Sequence, residues 1–224
     1  MDMSFMELQI KALLIISLEI LRIFMTKILL LLILIFLNSC SFDQGLLREI
    51  YNSYSQKDFK ITSDIYNNQP YSFATFSIGN SNKIILILWK IDNGRYFWVS
   101  QDSQIITTYH GKIIEAVGFS NDIKVTSLAN DFFNKSQIFY KTDFFEPNLL
   151  GINSKSIFNS LKIEEKINIG FQEIMTTVYI EEYLLSDVNF SGKNYYYFKD
   201  AMPRKTIQKI HPFLDHIEMV FYYK

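Results

Sequence analysis

The sequence predicts a mainly β protein, an antiparallel meander closed into a barrel or folded as two packed sheets, carried on a short helical tether. Three observations predict it. Apolar and polar residues alternate with period two over residues 161–169, 171–185 and 194–199, which places side chains on opposite faces of a strand. Turn signals recur at roughly 8–12-residue spacing, at Gly79-Asn80-Ser81-Asn82, Asp92-Asn93-Gly94, His110-Gly111 and Gly192-Lys193-Asn194. The segments between them are rich in β-branched and aromatic residues, which suit a pleated, half-buried surface.

Ahead of the strands lies the stretch around which the chain is organised. Lys27 precedes an unbroken apolar run from Ile28 to Leu37, followed by Asn38-Ser39 and the one cysteine of the chain, Cys40. A charged start, a short apolar run and a small-residue exit are the parts of a secretory signal peptide, too short for a stable transmembrane span. Leu37-Asn38-Ser39-Cys40 resembles the bacterial lipobox, in which the thiol is acylated and the chain is cut before the cysteine. The implied boundaries are a signal over residues 25–39, a lipidated tether over 40–56 and one antiparallel β domain over 57–224. Each buried methylene contributes about 0.8 kcal/mol, so the two or three acyl chains of such a modification, including palmitate, hold a protein at a bilayer. Asp after the cysteine favours inner-membrane retention in lipoproteins of this kind. Position 41 is Ser, which implies the periplasmic leaflet of the outer membrane, with the inner membrane as the alternative.

Residues 1–24 read as an extension ahead of a true start at Met25. The rival is one long hydrophobic helix over residues 5–37, interrupted by Lys11, Glu19 and Arg22. Charges near the middle of a span cost about 2.5–3.5 kcal/mol each, which weighs against that helix as a single span. Cleavage before Cys40 leaves 19 of the 22 basic and 20 of the 23 acidic residues, a near-neutral chain of 185 residues. A near-neutral chain without a basic block offers nothing to nucleic acid. With Cys40 acylated no thiol remains, so the fold is held without disulfides.

In order, Leu46, Leu47, Ile50 and Tyr54 fall on one face of a short amphipathic helix within residues 41–56. Residues 56–68 are polar and end at a turn, Gln69-Pro70. Strands follow over 71–78, 84–89, 96–99, 105–109 and 112–117. The run 84–89 is apolar on both faces, as a strand covered on each side should be. Residues 123–133 predict a short helix with Val125, Leu128 and Phe132 on one side. A strand over 137–145 ends at Glu146-Pro147-Asn148, and 149–159, lacking a clean period, reads as a loop capping one end of the sheet. Residues 206–210 and 216–223 form a final hairpin with Pro212 at its bend.

Several of these segments carry a resemblance. Tyr96-Phe97-Trp98-Val99-Ser100-Gln101-Asp102, then Ile105-Ile106-Thr107, Gly111-Lys112-Ile113-Ile114 and Val117-Gly118-Phe119 with Asn121-Asp122-Ile123 are similar to the pattern of the YjbF/GfcB-type lipoproteins of exopolysaccharide and group 4 capsule operons. The likeness continues at Glu181-Glu182, at Asn194-Tyr195-Tyr196-Tyr197-Phe198-Lys199-Asp200 and from Gln208 to Pro212. Where that family has an Asn-Gly-Arg turn, this chain has His110-Gly111-Lys112, which keeps the glycine and the positive charge. The resemblance implies a non-catalytic envelope lipoprotein that assists assembly or secretion of a polysaccharide beside other secretion proteins.

The residues themselves offer little catalytic chemistry. His110, His211 and His216 lack the i, i+4 spacing of helical metal ligands, and with Cys40 acylated no cysteine completes a zinc shell, so neither metal nor cofactor is expected. There is no Gly-x-Ser-x-Gly elbow and no phosphate-cradling glycine loop. Glu181 and Glu182 would face opposite sides of a strand and cannot act as a pair on one substrate. Were one buried, it would need a partner such as Arg95 or Arg204. Trp89, Tyr96, Trp98, Tyr195 and Tyr197 are candidates for a stacking surface that binds sugar rings or a partner protein, against the alternative of ordinary core packing. This carbohydrate-binding module is the second functional expectation.

Overall fold

The computed structural model describes Met25, Lys27 and residues 60–128, 135–159 and 163–224. Cys40 and the predicted helix around Leu46–Tyr54 lie outside the described residues. The chain divides into two units, Met1–Ile50 and Tyr51–Lys224, and the second carries all the strands described below.

The predicted meander is present. Strands β1 (Phe73–Ile78), β2 (Ile84–Asp92), β3 (Arg95–Val99), β4 (Ile105–Tyr109), β5 (Lys112–Val117) and β6 (Ile123–Thr126) run antiparallel in sequence order. Then come β7 (Gln137–Phe145), β8 (Asn148–Phe158), β9 (Ile163–Ile169), β10 (Gln172–Leu185), β11 (Phe190–Lys199), β12 (Met202–Gln208) and β13 (Ile217–Tyr222). The sheet order is β11-β12-β13-β1-β2-β3-β4-β5-β6-β7-β8-β10, and β10 pairs back onto β11 to close a ring of twelve strands. Of the two predicted architectures, the protein is the antiparallel barrel. Closure removes the sheet edges that an open meander would expose.

The first half of β10 departs from the barrel. It pairs with β9, whereas its second half pairs with β8. Ile174, Thr176 and Val178 are buried in the first half, but Glu181, Tyr183 and Leu185 in the second. This switch of phase shows the β9–β10 hairpin folding back over the outside of the wall. Ile167, Ile169 and Ile174 pack with Ile61 and with Ile65 and Tyr66 of the short helix α1 (Ser63–Asn68), which begins two residues after Ile61, against Phe73, Ile85, Ile87, Val220 and Tyr222. The other faces of the same strands supply Ala74, Phe76, Leu86, Met219 and Phe221 to the main core. The expectation that β2 is covered on both sides therefore holds through Leu88.

Four predicted elements are corrected. The turn expected at Gly192-Lys193-Asn194 lies within β11, which pairs with β10 without a break from Phe190 to Phe198. Residues 123–126, expected to open a helix, form β6, because β5 and β7 offer backbone partners on either side. The expected loop over 149–159 is β8, which buries Ile152, Ser154, Ser156 and Phe158 in alternation. Two of these inward positions are serines, so the hydrophobic period is hidden although the geometric one is intact. Helix α1 arises in the stretch read as merely polar, where the Thr62 side chain accepts from the Ile65 amide and caps its start.

Candidate functional site

The barrel interior holds a polar lattice assembled from strands far apart in sequence. The β4–β5 hairpin turns at His110 and Gly111, both at positive φ (48° and 79°). A β carbon at Gly111 would lie 2.8 Å from Pro203 Cβ and 3.1 Å from the Thr206 methyl group. Glycine is thus required twice here, by backbone hand and by close approach. Gly111 O accepts from Gln208 Nε2 at 2.9 Å, and the Ile113 amide donates to Gln208 Oε1 at 3.0 Å. β5 and β12 stand opposite one another in the ring of twelve, so these bonds tie the hairpin tip across the lumen to the far wall. Lys112, Ile113 and Ile114 are all buried in succession, as expected for a strand end covered on both faces.

From that tip Lys112 reaches the barrel centre. Its Nζ lies 2.6 Å from Glu181 Oε1, and both side chains are enclosed. Ser156 also donates to Glu181 Oε1; Asn194 Nδ2 and Tyr196 Oη donate to Oε2 at 2.8 and 2.5 Å. Burial alone would push the Glu181 carboxyl up, but the Lys112 charge and the donors around it outweigh burial and hold it below its ordinary range. The Lys112 ammonium is flanked by the rings of Tyr140 and Tyr183, with centroids 5.4 and 5.3 Å away. Burial pushes both of those phenols up, so they stay neutral donors. Tyr140 meets Ser156, and Tyr183 reaches Thr142, which is bonded to Ser154. Each member has a partner, the condition under which a buried polar network rigidifies a core. The expected carboxylate partner is therefore corrected: Glu181 is the buried member of the pair, Glu182 is exposed, and the cation is Lys112 instead of Arg95 or Arg204.

Replacing Gly111 with Ala tests the inserted tip. The left-handed backbone costs about 1–2 kcal/mol and the overpacking against Pro203 about 1–3 kcal/mol more. Urea unfolding should show this loss, and a variant as stable as the native chain would mean that the turn is not held against β12.

The aromatic candidates separate. Trp98 is fully buried and donates from Nε1 to Thr108 Oγ1 at 2.9 Å. Tyr96 is half-buried, stacked on Trp98 with centroids 6.1 Å apart. Tyr197 lies on the outside of the wall but is buried, and Tyr195 on the same side is half-exposed. These five residues do not form one exposed face, because strand alternation sends Trp98 and Tyr96 inward. Trp89 alone among them is largely exposed, at 65 %. It sits where the β2–β3 register slips between Leu88 and Lys90, a bulge that re-aims a side chain out of the regular alternation.

His211, considered for a metal, is buried. Its Nδ1 accepts from the Phe213 amide and its ring stands edge-on to Phe144. Burial holds the imidazole below its ordinary value, so it is a neutral packing group. Among the described residues no cluster of three or more His, Cys, Asp or Glu could hold a metal ion.

The family model for group 4 capsule polysaccharide lipoproteins (YjbF, gfcB) matches residues 40–221. The chain belongs to this YjbF family. A curated relative, the lipoprotein YjbF of Escherichia coli K12, is 28 % identical over 108 residues, 46 % of this chain and 50 % of the relative. The matched portion thus spans about half the length of that protein. The crystal structure of the hypothetical lipoprotein YmcC from Escherichia coli K12 superposes with a TM-score of 0.62 at 18 % identity, covering 78 % of this chain and 94 % of that one. That likeness speaks for the barrel alone. Within the family resemblance, the separate sequence pieces have a common place: Trp98, Gly111-Lys112, Glu181, Asn194 and Gln208 all turn into the lumen, and all but Trp98 meet in one lattice.

Proposed function

We propose that this YjbF-family chain is a non-catalytic lipoprotein, anchored through acylated Cys40 in the periplasmic leaflet of the outer membrane, that assists assembly or secretion of capsular polysaccharide beside other envelope proteins. The family match carries the reading. It begins at Cys40, where the lipobox-like Leu37-Asn38-Ser39-Cys40 ends, and runs through the barrel to residue 221. A non-catalytic role is supported by the lattice itself, since the buried carboxylate and amine spend their donors and acceptors on each other and on neighbouring side chains. An acid or base that cannot reach a substrate proton does no chemistry.

The test is metabolic labelling with palmitate followed by membrane fractionation, in the native chain and in Cys40→Ala. The native chain is expected to take up label, to lose residues 1–39 and to float with outer-membrane vesicles. Cys40→Ala should take up none and fail to restore surface capsule to a deletion strain in which sugar synthesis continues. A native chain that keeps Met25 with Cys40 bare would overturn the anchoring. Normal surface capsule in the deletion strain would overturn the role.

A further inference from the structure

We infer that the outer face of β2, β3 and β4 is a binding surface for an anionic polysaccharide chain, with Trp89 and Phe97 stacking on sugar rings while Lys90 and Arg95 take their carboxylates. The inference rests on the function proposed above, and deepens it by assigning direct contact with the sugar chain and the residues that make it. Lys90 pairs with Phe97 across β2 and β3, and Arg95 precedes Phe97 by two residues on the same side of β3. Tyr109 continues that side onto β4 opposite Arg95. The Lys90 ammonium stands 5.3 Å from the Trp89 ring centroid and 4.3 Å from that of Phe97, a cation held between two aromatic faces. Among the described residues no carboxylate lies within ion-pair distance of Lys90 or Arg95. Asp92 is the acidic group on this edge, opposite Arg95 in the register, so the surface keeps a net positive charge.

Beside Arg95 the surface dips into a cleft of about 160 Å³ lined by Arg95, Tyr109, Ile114, Val125, Ser127 and Leu128. At about 30 Å³ per water in the liquid, this is room for roughly five waters, the scale of a single sugar residue. A purely apolar partner would leave two cations unsatisfied, and nucleic acid would call for a broader basic field. A sugar chain has apolar C–H faces for the rings and, if acidic, carboxylates for the cations. Phe139 and Phe213 are as exposed as Trp89, but neither sits beside a second ring and two such cations.

The chain's two tryptophans make the test direct, because Trp89 is exposed and Trp98 is buried. The purified full-length lipoprotein in detergent is titrated with polygalacturonate, neutral dextran and phosphatidylglycerol vesicles while tryptophan emission is followed. Polygalacturonate should quench or blue-shift the emission and weaken with salt, and dextran should bind at least tenfold more weakly. Trp89→Ala, read by affinity electrophoresis, and the double variant Lys90→Gln/Arg95→Gln should each lose at least tenfold in affinity with unchanged circular dichroism. Equal binding by the variants, equal response to dextran, or response to vesicles alone would overturn the inference. Variants that lose polygalacturonate binding yet restore full surface capsule would leave the lipoprotein role standing and remove the sugar contact from it, whereas failure of anchoring at Cys40 would strike the role itself.

Discussion

Replacing Lys112 with Met is expected to lower the unfolding free energy by about 3–5 kcal/mol, the scale for removing one partner of a buried ion pair. The substitution roughly keeps the aliphatic stem but leaves the Glu181 carboxylate in the barrel centre without its cation. The pair is fully enclosed, so solvent cannot compensate. Glu181→Gln added to Lys112→Met should recover much of the loss, since an amide keeps an acceptor for Asn194 and Tyr196 and carries no charge to strand. Guanidinium unfolding of the two single variants and the double variant measures the coupling. Strict additivity would show that the two side chains do not stabilise each other.

Acid titration gives the same pair a sign. In the native chain the folded Glu181 carboxyl lies below its ordinary 4.5, so the unfolded chain binds more protons in that window. Its contribution is present above pH 4.5 and is lost as pH falls through the lower folded value. In Lys112→Met the chief opposing influence is gone and burial dominates, which raises the folded value above the unfolded one. That variant should gain stability as pH falls from 7 towards about 4.5, opposite to the slope the pair contributes in the native chain below 4.5. Parallel slopes in native and variant proteins would contradict the assignment of the buried charge.

Trp98→Ala should cost about 3–5 kcal/mol, as for other large aromatic truncations in a core. Trp98 is fully buried against Tyr96, Phe221 and Tyr223, with ring centroids between 5.3 and 6.2 Å away. Trp98→Phe restores most of the volume but leaves the Thr108 hydroxyl without its donor, a smaller loss of about 1–3 kcal/mol. Trp89→Ala, on the exposed bulge, should stay within about 0.5 kcal/mol of the native chain. Thermal unfolding of the three variants checks the ranking, and a Trp89→Ala loss as large as that of Trp98→Ala would place Trp89 in the core.

Much of this ranking depended on information local to the chain and much did not. The β2–β3 and β4–β5 hairpins were legible because Asn93-Gly94 and His110-Gly111 announce positive φ. Strand β8 was not, since Ser154 and Ser156 occupy inward positions where an apolar residue would have revealed the period. In the candidate site, Lys112 and Glu181 were both visible as motif residues, but 69 positions separate them. Their pairing follows from barrel closure and from the hairpin tip crossing the lumen, neither of which any window of sequence contains.

The sequence by itself determined most of the strands, though not β6 and β8, the turns at Gly79, Asn93-Gly94 and His110-Gly111, the lipobox-like exit at Cys40 and the family to which the barrel belongs. These are carried by periodicity, by residues with special backbone preferences and by short motifs, all of which act over a few neighbours. Only the tertiary structure decided that the meander closes as a barrel, that the inner face of β10 changes halfway along, that Lys112 is the counter-charge of Glu181, and that Trp98 is core while Trp89 is surface. Those outcomes depend on which faces meet once the wall is closed, and one register slip at Leu88 is enough to turn a side chain from the interior to the solvent.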